Sequence, residues 1–206
     1  ERPIKILTQY HQYFGVKKAY ESIKEHKKPN GDGKAGIIWH TQGSGKSFTM
    51  LMLSRRLITD NSLNNPTIVV LTDRNDLDNQ LFGTFCSAKD FLSANIKQVE
   101  SRNDLIDEIG KIKVGGIFFT TLQKFDKENS FVNQRENIIV ISDEAHRSHY
   151  GLDEKIIMKK ENKQIVEYIS KYGMEKYIRD SLPNATFIGF TGTPVKTRDK
   201  MTTAIF

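Results

Sequence analysis

Apolar residues change period repeatedly along these 206 residues. Short, nearly continuous apolar runs occur at AGIIW (35–39), TIVVLT (67–72), GGIFFTT (115–121), NIIVIS (137–142) and ATFIGFT (185–191), with a weaker one at NIKQV (95–99). Runs of this length, rich in β-branched and aromatic residues, predict strands buried on both faces. Between them the apolar spacing becomes helical. Val16, Ala19, Tyr20 and Ile23 share one helical stripe, and PNGDG at 29–33 ends it with a turn. FTMLMLSRRLI (48–58), NDLDNQLFGTF (75–85) and NDLIDEIGKI (103–112) predict further helices. The charged segment 155–181 also has helical periodicity and predicts one or two helices.

Buried strands alternating with helices argue for an α/β fold, a mainly parallel sheet with helices on both faces. No internal repeat or low-complexity linker interrupts the chain. It stops at MTTAIF without a turn or cap, which suggests a fragment of something longer.

Composition narrows the class. Hydrophobic residues are 37% and charged residues 27%, the balance of a soluble globular protein. No apolar run approaches the roughly 18–20 residues of a membrane span, and ERPIKILTQY lacks a signal-peptide pattern. The single cysteine, Cys86, excludes an internal disulfide and a cysteine zinc site, pointing to a reducing, cytoplasmic setting. A net charge of +6 is compatible with a polyanion partner without demonstrating one.

The first candidate chemistry is WHTQGSGKSFTM at 39–50, between a predicted strand and a predicted helix. Strand, glycine-rich turn and helix N-terminus form the context of a phosphate-binding loop. Gly43 and Gly45 let backbone N–H groups turn around an anion. The loop residues Thr41, Gln42, Gly43, Ser44, Gly45, Lys46 and Ser47 are therefore candidate nucleotide ligands. Lys46 reaches the β- and γ-phosphates, and Ser47 offers its hydroxyl to Mg²⁺. The strict pattern has glycine where this chain has His40. That position shapes the turn out of the strand, so His40 is expected to pack rather than to bind metal.

The second is IIVISDEAH at 138–146, where an apolar strand ends in Asp143 and Glu144. At the carboxyl end of a parallel strand, both face the crevice of the phosphate loop. Asp143 is expected to hold Mg²⁺ through water and Glu144 to accept a proton from the attacking water. Lys46, Asp143 and Glu144 form the candidate catalytic set. His146 and His149 are too few for zinc. A third stretch, FTGTP at 190–194, places Thr191 and Thr193 where their hydroxyls can sense the carboxylate pair.

Together, HTQGSGKS, DEAH and GFTGTP resemble motifs I, II and III of helicase superfamily 2. The stretches YHQYFGVKKA (10–19), VVLTDRNDLDNQL (69–81), TTLQKF (120–125) and DEAHRSHYG (143–151) resemble more closely the motor, or restriction, subunit of type I restriction enzymes. The resemblance implies the first of two RecA-like lobes of an ATP-driven duplex-DNA translocase that serves in defence against foreign DNA. It implies ATP and Mg²⁺ as cofactors, with duplex DNA, a second RecA-like lobe, and the modification and specificity subunits as partners. Gln12 matches the adenine-reading glutamine of the upstream motif, so residues 1–30 become an adenine-recognition segment and 31–206 the ATPase lobe. Gly15 departs from the alanine expected there. Thr72, Asp73, Arg74, Thr120, Thr121 and Lys124 match segments beside the nucleic-acid path, where hydroxyls and cations suit sequence-blind phosphate contacts. The nuclease domain and the second lobe, which supplies a transition-state arginine, are expected outside this chain. Alone it should bind Mg-ATP weakly and turn it over negligibly. The alternatives are another superfamily 2 helicase, acting on RNA or in DNA repair, and a nucleotide-gated binding module without catalysis.

Overall fold

Strand order explains how motifs distant in sequence meet. The computed structural model describes residues 7–72, 75–99, 102–121, 133–143, 155–161, 164–171 and 174–192. The chain begins with helix α1 (Tyr10–His26), strand β1 (Lys34–Trp39) and helix α2 (Lys46–Thr59). Strand β2 (Thr67–Thr72), helix α3 (Asn75–Ser87), the one-turn α4 (Lys89–Leu92) and strand β3 (Ile96–Gln98) follow. Then come α5 (Arg102–Lys111), β4 (Ile117–Thr121), β5 (Ile138–Ser142), β6 (Lys155–Glu161), β7 (Gln164–Lys171), α6 (Met174–Ser181) and β8 (Thr186–Thr191).

Six strands form one sheet in the order β1-β8-β5-β2-β4-β3, every described pairing parallel. Strand β8, last in sequence, sits between β1 and β5. The carboxyl ends of these three strands therefore lie side by side.

The period-2 alternation of side chains divides each apolar run between two layers. Ile68, Val70, Ile117, Phe119, Ile139, Ile141, Ile188 and Phe190 share a core with α1, α2, α3 and α4. Val69, Leu71, Phe118, Val140 and Phe187 form a second core with Leu105 and Ile109 of α5 and Ile178 of α6. The expected arrangement, helices on both faces of a parallel sheet, is what the chain builds. Helix α1 contributes Val16, Ala19 and Ile23 to the first core, so this helix shares that core with the sheet.

The segment 155–181 differs from the expectation. Its first part is an antiparallel hairpin, β6 with β7, pairing Lys155 to Lys171 and Met158 to Tyr168. Only α6 is helical. The apolar positions 156–158, 165–166 and 168–169 fit both periods, but Ile156, Ile157, Ile165, Val166 and Ile169 are β-branched and favour strands.

Candidate phosphate-binding site

The loop after β1 closes on itself through Ser44. Ser44 N–H donates to the Thr41 carbonyl at 3.1 Å, and its hydroxyl donates to the same oxygen at 2.6 Å. The chain then passes through Gly45 at φ +81° and enters α2 at Lys46. Gly43 has the same left-handed φ, +81°. These values explain both glycines, since a Cβ disfavours that region. Helix α2 thus presents its N-terminus, the positive end of its dipole, directly after the loop.

His40 is buried. Its backbone N–H donates to the Thr191 carbonyl at 2.9 Å, joining the ends of β1 and β8. Its Nδ1 lies 2.9 Å from Ser44 Oγ. The single hydroxyl proton of Ser44 is already given to Thr41, so His40 Nδ1 is the donor in that contact. The residue replacing the usual first glycine therefore packs, as expected, and also braces the loop. Burial, then the charges of His11 and Lys46, hold its imidazole below the ordinary histidine pKa.

Lys46 reaches across to β5, where its Nζ lies 2.8 Å from Asp143 Oδ1. Asp143 is oriented from its backbone, whose N–H donates to the Leu71 carbonyl at 2.8 Å. Thr191 is buried at the end of β8, between these strands. Two motifs nearly a hundred residues apart are thereby in contact. Ser47 follows Lys46 in the first turn of α2.

Gln12 is buried against the loop rather than open. Its amide oxygen accepts the Gln9 N–H at 3.0 Å, and its amide nitrogen donates to the Ser44 carbonyl at 3.2 Å. His11 was not singled out in the sequence, yet its Nε2 lies 3.0 Å from that same carbonyl. A lone histidine beside a candidate residue carries no pattern that would have found it.

Thr72, Thr120 and Thr121 end the adjacent strands β2 and β4, with Thr72 opposite Thr121. All three are buried, and the hydroxyls of Thr72 and Thr120 have no hydrogen-bond partner among the described residues. Glu144, Thr193, Asp73, Arg74, Lys124, His146 and His149 lie outside the described residues.

Ser47 and Asp143 supply hard oxygen donors of the kind Mg²⁺ takes together with substrate phosphates. Among the described residues, no cluster of three or more His, Cys, Asp or Glu could hold a metal alone. The donor set therefore fits a cation that arrives with a nucleotide. Among the described residues, no helix is long and apolar enough to cross a membrane.

A family model described as SWI2/SNF2 ATPase matches residues 11–206. The type I restriction enzyme HindI endonuclease subunit of Haemophilus influenzae is 48% identical over 100% of this chain, which covers 19% of that protein. The putative type I restriction enzyme MjaIXP endonuclease subunit of Methanocaldococcus jannaschii is 37% identical over 98% of the chain and 18% of its own length. The chain thus spans less than a fifth of each of these relatives. In fold it is similar to the Sulfolobus solfataricus SWI2/SNF2 ATPase core in complex with dsDNA. That match has a TM-score of 0.58 and 16% identity, covering 97% of this chain and 35% of that one. It is also similar to the type ISP restriction-modification enzyme LlaGI, with a TM-score of 0.52 and 18% identity over 95% of this chain and 19% of that one.

Proposed function

The chain belongs to the SWI2/SNF2 ATPase family, and on that premise we propose that it is the first RecA-like lobe of a type I restriction enzyme's endonuclease subunit. There ATP hydrolysis would drive translocation on duplex DNA. The observation that carries the reading is the 2.8 Å contact between Lys46 and Asp143, which joins the phosphate loop to the acidic strand end. The identity to the Haemophilus subunit along the whole chain supports the restriction assignment over other motors of the fold.

In this reading Lys46 and the backbone of Thr41, Gln42, Gly43, Ser44 and Gly45 grip the phosphates of ATP. Ser47 and Asp143 hold Mg²⁺, which neutralises phosphate charge when bound. Glu144 takes the proton of the attacking water. Gln12 would read adenine by exchanging one of its two present hydrogen bonds. The segment 1–30 is then an adenine-recognition unit by role, and its helix α1 packs on the core of the lobe at 31–206. Thr191 and Thr193 relay the state of the carboxylates. Arg74 and Lys124 contact the DNA backbone beside the strand ends that carry Thr72, Thr120 and Thr121, the other positions matched to the nucleic-acid path. The setting is cytoplasmic, with the modification and specificity subunits and a second RecA-like lobe as partners.

The test is ATPase activity of the full-length subunit with linear duplex DNA, single-stranded DNA and RNA. Stimulation by duplex DNA alone, abolished by Glu144→Gln, is expected. Stimulation by RNA would move the reading to an RNA helicase, and no turnover with any of them to a non-catalytic module.

A further inference from the structure

The Ser44 carbonyl accepts two side-chain hydrogen bonds from the first turn of one helix. His11 Nε2 approaches at 3.0 Å and Gln12 Nε2 at 3.2 Å. A carbonyl only accepts, so both nitrogens carry the proton. The other end of Ser44 is held as well, its hydroxyl bridging His40 Nδ1 and the Thr41 carbonyl. The two imidazole rings meet edge to face with centroids 5.7 Å apart.

This arrangement has a directional consequence. In a planar trans peptide the C=O and the following N–H point in opposite directions. Drawing the Ser44 carbonyl toward α1 therefore aims the Gly45 N–H away from α1. The left-handed φ of Gly45 would otherwise leave that peptide plane easy to flip, since glycine has no Cβ to oppose rotation. The N–H so aimed immediately precedes Lys46.

From this juxtaposition we infer that His11 is a positioning residue of the phosphate loop: with Gln12 it clamps the Ser44 carbonyl and so orients the Gly45 N–H for the nucleotide's phosphates. The inference rests on the loop being the phosphate site proposed above. It sets His11, assigned to the clamp alone, apart from Gln12, which is assigned to adenine as well. A contact to adenine acts on the base alone, whereas the clamp acts on anything that presents phosphates to the loop. His11 is exposed on a helix whose core positions are Val16, Ala19 and Ile23, so its replacement leaves folding intact.

The test compares binding of Mg-ATP and of Mg-tripolyphosphate, which lacks a base, to the full-length subunit. Three variants are used: His11→Ala, His11→Gln and Lys46→Ala. His11→Ala is expected to weaken both ligands alike, by about three- to tenfold, the net worth of one hydrogen bond. His11→Gln, which keeps an N–H donor of similar reach, is expected to restore affinity to within about twofold. A loss confined to ATP, no loss at all, or no recovery with glutamine would each overturn the clamp. Lys46→Ala distinguishes that outcome from failure of the site itself. If Lys46→Ala binds both ligands like the parent, the loop is not the phosphate site. If it alone loses both while His11→Ala does not, the site stands and the clamp falls.

Discussion

Lys46 Nζ and Asp143 Oδ1 lie 2.8 Å apart, with side chains only 17% and 12% exposed. The lysine proposed to bind phosphate is thus held by the carboxylate proposed to hold Mg²⁺. That pairing satisfies both charges in a site that shields them from water. It also makes Asp143 a competitor for the lysine. Without Mg²⁺, ATP must displace the carboxylate and then sit beside it. Asp143→Asn is therefore expected to bind metal-free ATP more tightly than the parent, by about fivefold, corresponding to ~1 kcal/mol for a partly screened contact. With Mg²⁺ present that advantage should vanish and turnover should be lost. Nucleotide titrations in EDTA and in Mg²⁺ measure both. Equal or weaker metal-free binding by the variant would refute the competition.

Two glycines near the loop should respond oppositely to alanine. A Cβ at Gly15 would meet His40 Nε2 at 3.6 Å and Thr49 Cγ2 at 3.9 Å, ordinary contact distances. Gly15 lies inside α1, where glycine costs helix stability. Gly15→Ala should stabilise the fold by about 0.5–1 kcal/mol with nucleotide affinity retained. At Gly45 a Cβ would collide with Gln12 Nε2, on a backbone at φ +81°. Gly45→Ala should displace Gln12 from Ser44, strain the loop and abolish phosphate binding. Thermal unfolding and ATP titration of the two variants separate these outcomes.

The elements that were readable from the sequence are those whose period has one interpretation. TIVVLT and IIVIS are buried along their whole length, and their shortness and β-branched residues mark them as interior strands. The glycine-rich turn between β1 and α2 was legible because Gly43 and Gly45 stand where the backbone takes a left-handed φ. The 155–171 hairpin was not, because its apolar positions satisfy helical and strand periods alike, and strand pairing decided between them. His11 acts through an atom 33 residues away, and no local pattern marks such a contact. The lone histidine at position 40 was expected to pack, and its additional bond to Ser44 depends on how the loop turns back.

His40 should give the fold an acid-sensitive component. Burial, with the nearby charges of His11 and Lys46, lowers its folded pKa below the ordinary value of 6.5. The unfolded chain therefore takes up this proton first as pH falls. Its contribution to stability is fully present above about 6.5 and is lost as pH falls from there through the folded pKa. His40→Gln keeps a hydrogen-bond donor but cannot titrate. Urea unfolding between about pH 7 and pH 5 should show a smaller loss of stability in the variant than in the parent. Identical pH dependence in the two proteins would remove His40 as the source.

At the opposite end of the strands, Arg135 ties together elements that the phosphate site does not touch. Its Nη2 donates to Thr67 Oγ1 at 2.6 Å, its Nη1 to the Ile112 carbonyl at 3.0 Å, and its Nε to Asn137 Oδ1 at 3.0 Å. Thr67 passes the chain on to the Gly115 carbonyl at 2.8 Å. One planar guanidinium thus joins the start of β2, the segment after α5 and the approach to β5. Partial burial lowers its pKa, but arginine's ordinary value is high enough that it stays charged at neutral pH. Lysine can keep the charge but cannot reproduce three donors fixed in one plane. Arg135→Lys should therefore lose about 2 kcal/mol of stability, from the bonds it cannot remake and the acceptors it leaves unsatisfied. Lys46, Asp143 and the loop stand at the carboxyl ends of the strands, so nucleotide affinity of the folded variant should equal that of the parent. Denaturant unfolding and ATP titration on the same sample check both halves. A variant that keeps its stability but loses affinity would show that the amino-terminal end of the sheet governs the site, contrary to the geometry.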